Sequence, residues 1–162
     1  MKEDDTDTSW FIRPSSSNEL EQLVSLARTA FGEFGDYRET IRHWVNRPEM
    51  TTLVAVARSE VVGFIVFGAH AGSKTIGHMI ALAVVERYRE QGVGRQLLNC
   101  ALVAMAENGL ISAELAVARS NQKAQALFRS LGFESDGQTV TYPNGEDGLV
   151  MSRRLPSGFE LH

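Results

Sequence analysis

The sequence predicts an α/β fold: one mixed central β-sheet of about seven strands flanked by about four helices. Three observations carry that expectation. Strand-like and helix-like patterns follow one another in the order β, α, α, β, β, β, α, β, α, β, β. The consecutive strands in the middle favour antiparallel pairing, whereas a later passage from strand through a glycine turn into helix and strand favours a parallel pair. Lastly, Pro143-Asn144-Gly145 marks a turn inside what reads as a closing hairpin.

Taken in order, Trp10 to Arg13 is a short β-like run stopped at Pro14, and Ser16 with Glu19 has capping-box spacing at the start of a helix. Leu20, Leu23, Val24, Ala27 and Phe31 then recur at three- and four-residue intervals down to Gly32. Tyr37, Ile41, Trp44 and Val45 repeat the pattern up to Pro48. Thr52 to Arg58 and Val61 to Ala69, rich in Val, Ile and Phe, predict a hairpin that turns at Ser59-Glu60. His78 to Val85 is long and apolar enough for a central strand. Gly92 and Gly94 open a long helix with Val93, Leu97, Leu98, Ala101, Leu102 and Met105 on one face and a stop at Asn108-Gly109. Ile111 to Val117 predicts the next strand. Asn121 begins a helix carrying Ala124, Leu127, Phe128 and Leu131 on one face, closed by Gly132, and Gln138 to Tyr142 with Gly148 to Arg154 predicts the final hairpin. A single domain over residues 10–155 is expected, with a flexible acidic tail at 1–9 and a C-terminal tail at 156–162.

The 162 residues, 43% hydrophobic and 22% charged, suit one globular domain with one core. A net charge of −4 gives no overall attraction for nucleic acid or an anionic membrane surface. Cys100 is the only cysteine, so no intramolecular disulfide forms, and no cluster has zinc-ligand spacing. Met1 to Thr8 is acidic and polar where a secretory signal is basic and then apolar, and no run approaches the ~18 apolar residues of a membrane span. These features predict a cytoplasmic protein without a metal, a nucleic-acid partner or a membrane partner, and leave a homodimer open.

The chemistry concentrates at Arg89-Glu90-Gln91-Gly92-Val93-Gly94. A helix that starts directly after a glycine turn presents unpaired backbone N–H groups and the positive end of its dipole, which suits a phosphate. Arg89 and Arg95 flank the turn and supply charge-assisted donors. A dinucleotide-binding reading lacks the third small residue, because Leu97 stands there, and its candidate ribose acid, Glu114, falls inside a strand. A nucleotide P-loop at Gly68 to Thr75 has one residue too few between its glycines, and Ser73 separates Gly72 from Lys74. A purely structural helix cap also remains open at this point.

Arg89-x-x-Gly92-x-Gly94, following the apolar Ile80-Ala81-Leu82-Ala83-Val84, resembles the Q/R-x-x-G-x-G/A signature of the GCN5-related N-acetyltransferase (GNAT) superfamily. A second stretch, Asn121 to Glu134, is similar to the same family's N-x-x-A-x-x-L-Y-x-x-x-G-F helix. The two lie in the family's order and separation, and the expected elements match from Trp10 to about Leu155.

That resemblance implies acetyl-CoA as co-substrate and acetyl transfer to a primary amine, of a small molecule or a peptide, by direct attack in a ternary complex. It implies that backbone N–H groups from Gln91 to Arg95 take the pyrophosphate, and that Leu82, Ala83 and Val84 line the pantetheine, with an N–H that stabilises the thioester oxyanion. Asn121 would contact the pantetheine arm. Phe128 stands where many members have the tyrosine that protonates the departing thiolate, so another hydroxyl such as Tyr142, or water, must serve; a non-catalytic acyl-CoA-binding domain is the alternative. His78 and Glu114 are the candidates for the base that the amine requires. On the acceptor side, Glu33 and Phe34 lie in the loop between the first two helices. Cys100, in mid-helix, reads as packed rather than nucleophilic.

Overall fold

The computed structural model describes residues 9–31, 38–70 and 72–156. The acidic N-terminal run, nearly all of the C-terminal tail and the loop holding Glu33 and Phe34 lie outside the described residues.

Strand β1 (Phe11–Pro14) leads through a single 3-10 turn, Ser17–Glu19, into α1 (Leu20–Phe31), and α2 (Arg38–Val45) follows. Next come β2 (Met50–Ala57), β3 (Glu60–Ala69) and β4 (Ile76–Val84), then α3 (Val93–Glu107), β5 (Ser112–Ala118), α4 (Gln122–Ser130), β6 (Glu134–Thr141) and β7 (Asp147–Arg154). The described strands form a seven-stranded sheet in the order β1-β2-β3-β4-β5-β7-β6. Only the β4–β5 pair is parallel, as the crossover through α3 requires. The last hairpin folds back so that β7, not β6, pairs with β5.

Each face of the sheet buries a helical stripe. Leu97, Leu98 and Met105 of α3 pack with Ile65, Leu115 and Met151 on one side. Leu23 and Ala27 of α1 and Ile41 of α2 pack with Val54, Phe64 and Val66 on the other. The larger of these buried side chains, the leucines, isoleucines, valines, methionines and Phe64, contribute about 1.5–3 kcal/mol each. At Gly77 an added Cβ would lie 2.7 Å from Met105 Sδ, so the missing side chain is what lets α3 settle onto β4.

Two expectations need correction. The β2–β3 turn is made by Arg58 and Ser59, both with positive φ (50° and 65°), and Glu60 already pairs with Ala57. Left-handed geometry at both central residues is what a type I′ two-residue hairpin turn demands, even without Asn-Gly. Strand β6 begins at Glu134 rather than Gln138, because its first residues stay in the sheet through a register shift between Ser135 and Thr139.

The register also shifts between Ala55 and Val56 in β2–β3 and between Val66 and Phe67 in β3–β4, and the latter shapes the site. Val66 pairs with Ala81 and Phe67 with Met79, which leaves Ile80 as an extra residue in β4. Met79 therefore packs with the α3 side, whereas Ala81 and Ala83 pack with the α1 and α2 side.

The edge that carries α1 is tied by a buried carboxylate. Arg13 donates to both oxygens of Glu19, at 2.9 and 2.7 Å, and the Ser16 N–H donates to Oε1 at 2.6 Å. The guanidinium holds the Glu19 carboxyl below the usual carboxylate range. Because the folded value is depressed, this stabilisation is present above the ordinary carboxylate value and is lost as pH falls through the folded one. Glu19→Gln is expected to cost about 1–2 kcal/mol in urea denaturation at neutral pH, Arg13 being partly solvent-screened, and the two proteins should converge in acid.

Candidate active site

The parallel ladder between β4 and β5 is short. It runs only through Ile76, Gly77 and His78 against Ser112, Ala113 and Glu114, and beyond this the two strands part. The bulge at Ile80 lies two residues past the last pair. A cavity of about 250 Å³ opens in the fork, and its walls include Met79 to Leu82 of β4 and Ala116 to Ala118 of β5. The Val85 N–H donates to the Val62 carbonyl, and backbone groups alternate along a strand, so the polar groups of Leu82 and Val84 turn away from β3 towards the fork. Ala83 lies between them with its side chain in the opposite core. The Val84 carbonyl already accepts Arg89 Nε at 2.9 Å, which fastens the end of β4 to the glycine turn.

At that turn Glu90 and Gly92 both have positive φ, 65° and 89°. The first internal bond of α3 runs from the Gln96 N–H to the Gly92 carbonyl at 3.0 Å, leaving the N–H groups of Val93, Gly94 and Arg95 outside the helix's own bonding. They point out of the helix N-terminus, the arrangement that receives an anion. Three side chains brace the turn: Gln91 donates to the Arg87 carbonyl, Arg95 to Ser130 Oγ at 2.8 Å, and Lys123 to Glu90 at 3.0 Å. The last two connect it to α4.

The facing wall comes from α4 and the last hairpin. Asn121 caps α4, its Oδ1 accepting the Ala124 N–H at 3.2 Å, and it lines the cavity with Phe128. Phe128 is buried, edge-on to Phe133 at 6.1 Å. Buried Gln125 donates to the carbonyls of Ala118 and Arg119, and the Arg119 N–H donates to the Asp147 carbonyl, so the end of β5 is held against the hairpin. Tyr142 reaches the same cavity from that hairpin, its ring lying over Gly148, where a Cβ would meet Cε2 at 2.6 Å.

His78 and Glu114, weighed in the sequence as rivals, are neighbours at the base of the fork. Ala113 and Leu115 face the α3 core, so Glu114 and Ala116 project from the opposite face, as does His78 beside Met79. His78 lines the cavity; Glu114 adjoins it without forming part of its wall. Burial, and secondarily the charge of His70, push the His78 imidazole below its ordinary pKa, against an opposing pull from Glu114. A half-buried imidazole that stays neutral at physiological pH is equipped to accept a proton.

Thr40, Ile41 and Trp44 of α2 complete the cavity, together with Phe31 of α1. In the sequence Ile41 reads as packing, Phe31 and Trp44 read first as packing and second as an aromatic wall beside the acceptor, and the signal for Thr40 was absent, since a lone threonine on a helix carries no message. Past β5 the Tyr142 ring covers this face at Gly148, and among the described residues no helix covers the rest, where Ala116 and Ser152 are exposed. Glu33 and Phe34 lie outside the described residues. Cys100 is half-buried in α3, and among the described residues no cluster could hold a metal ion.

Residues 18–133 match the acetyltransferase (GNAT) family. An N-alpha-acetyltransferase of Sulfurisphaera tokodaii is 31% identical over 157 residues, covering 89% of this chain and 92% of its own. Among solved structures, Ard1 from Thermoplasma volcanium superposes with a TM-score of 0.81 at 25% identity, covering 91% of this chain and 99% of that one. An aminoglycoside 6'-N-acetyltransferase complexed with coenzyme A gives 0.75 at 21% identity, covering 90% and 97%.

The two glycines of the turn differ in what the fold asks of them. Gly92 needs its left-handed φ, whereas a Cβ on Gly94 would meet Leu127 and Val84 only at ordinary contact distances of 3.6 and 3.7 Å. Thermal denaturation should show Gly92→Ala destabilised by about 1–2 kcal/mol and Gly94→Ala within about 0.5 kcal/mol of the parent.

Proposed function

The chain belongs to the acetyltransferase (GNAT) family, and from that premise we propose that its acceptor is the α-amine at the N-terminus of a protein or peptide. It is an N-acetyltransferase that takes its acetyl group from acetyl-CoA. The observation that carries the choice of acceptor is the shape of the fork. Its cavity meets a sheet face that, among the described residues, no helix covers beyond β5, and an extended chain can leave the site below Tyr142, over exposed Ala116 and Ser152. The naming of the Sulfurisphaera tokodaii relative as an N-alpha-acetyltransferase supports the same acceptor.

The residues then divide the work. The pyrophosphate lies on the N–H groups of the Gln91 to Arg95 turn, shaped by Glu90, Gly92 and Gly94, with Arg89 and Arg95 adding positive charge. The pantetheine amides bond to the backbone of Leu82 and Val84, past Ala83, and Asn121 and Phe128 form the opposite wall. His78 takes a proton from the acceptor ammonium, because only the neutral amine has a lone pair for the thioester carbonyl, and Glu114 beside it favours the imidazolium so formed. The amine nitrogen bonds to the acetyl carbon, the carbon–sulfur bond breaks, and the nitrogen gives up its second proton to water, which balances the proton taken up by the departing sulfur. Phe128 has no proton to give, so the sulfur departs as a thiolate and is protonated by water or by Tyr142. On the acceptor side Glu33 and Phe34 contribute charge and an apolar surface. The lone Cys100, without a disulfide partner in the chain, fits a reducing cytoplasm.

Mass spectrometry of peptides incubated with acetyl-CoA tests this. A free N-terminus should gain one acetyl group, while the same peptide with a blocked N-terminus and an internal lysine should gain none. Preferential acetylation of lysine side chains or of a small polyamine would overturn the assignment. Gly94→Ala should keep the fold but weaken coenzyme A binding. His78→Gln should lose at least about 100-fold in kcat/KM. The acid limb of the wild-type profile, set below the ordinary histidine value because His78 is held neutral, should disappear with it.

A further inference from the structure

His78 is not the last imidazole on the path from the cavity. The residue that follows β3, His70, is fixed at the start of the β3–β4 turn: its N–H donates to the Ile76 carbonyl at 2.7 Å, and its own carbonyl accepts the Ser73 N–H at 2.9 Å. This brings its ring to 5.3 Å from that of His78, with 37° between the planes. His70 is half-exposed and, unlike His78, forms no part of the cavity wall.

A base that works once per turnover must also discharge. With acetyl-CoA and the acceptor in place, the cavity side of His78 is covered by the substrates themselves and by Thr40, Ile41 and Trp44, none of which accepts a proton readily. We propose that His70 is the exit for the proton that His78 removes from the acceptor: a positioning residue that acts through His78 and does not touch substrate. This rests on the reading of His78 as the base. The ammonium N–H bond breaks and His78 becomes an imidazolium. Its other ring N–H then passes a proton to the adjacent His70 ring, directly or through water, and His70 releases it to solvent while His78 returns to the neutral form. No oxidant or further reactant is needed.

The charges around the pair favour one shared proton. Glu114 faces His78 from β5, with Ser152 and Glu134 next in the same row across β7 and β6, and Lys74 lies in the turn with His70. One positive charge between the imidazoles is balanced by Glu114, while two repel each other, in keeping with the depression of His78 by His70.

The test uses His70→Gln in the full chain, with circular dichroism to verify the fold. In dilute buffer kcat/KM should fall about tenfold, less than for loss of the base itself. Added imidazole should restore it, KM for acetyl-CoA should stay unchanged, and the acid limb should move up in pH because the opposing charge is gone. NMR titration of the His78 ring should show the same upward movement. Unchanged kcat/KM, a loss that imidazole does not relieve, or an unmoved His78 titration would each overturn the relay. Should the wild-type enzyme acetylate no peptide, the choice of acceptor fails on its own, and the NMR titration still decides whether the two rings are coupled.

Discussion

Everything in the site depends on β4 losing its partner halfway along. The extra residue at Ile80 reverses which way the following side chains point, and the parallel ladder to β5 stops two residues earlier, at His78 and Glu114. Breaking a sheet in its middle strands backbone donors and acceptors, a penalty of about 1–3 kcal/mol for each group left without water or a partner. A fold keeps such a gap open only where the unpaired groups have other work. Here the polar groups of Leu82 and Val84 face the fork, with the N-terminus of α3 beyond the end of β4 and the His78 imidazole in the cavity wall at the fork's base.

The gap stays open because both prongs are held from outside. Arg89 caps the end of β4, while Gln125 and the hairpin carbonyl of Asp147 fix the end of β5. The two cores act as braces on either side: α3 is pressed onto β4 through Gly77, and α1 and α2 cover β2 to β4 on the opposite face. That covering is unequal: the helices on the second face stop at β4, and among the described residues no helix covers the sheet beyond it, the face on which the proposed peptide acceptor would lie.

What the sequence revealed and what it hid divide along the line between local and non-local signals. The helix start at Gly92, the Asn121 cap and the stripes of α1 and α3 are written in a few adjacent residues, and all are present. The bulge was illegible because Met79, Ile80, Ala81 and Leu82 are uniformly apolar, and a run without alternation does not say which face each residue takes. The meeting of His78 with Glu114 was equally hidden, since it depends on the register of strands more than thirty residues apart. The insertion of β7 between β5 and β6 is a choice of topology that neither strand's own sequence dictates. Arg58-Ser59 misled for a different reason: it adopts a left-handed turn with residues that give no local sign of it.

If the fork is where acetyl-CoA is held, its unpaired amides are the groups that must change on binding. Amide hydrogen exchange with and without saturating coenzyme A measures this directly. The account predicts slowed exchange at Leu82, Val84, Val93, Gly94 and Arg95, with little change along β1, β2 or the outer face of α1. Protection absent from these amides while coenzyme A is bound, or concentrated elsewhere in the sheet, would contradict it.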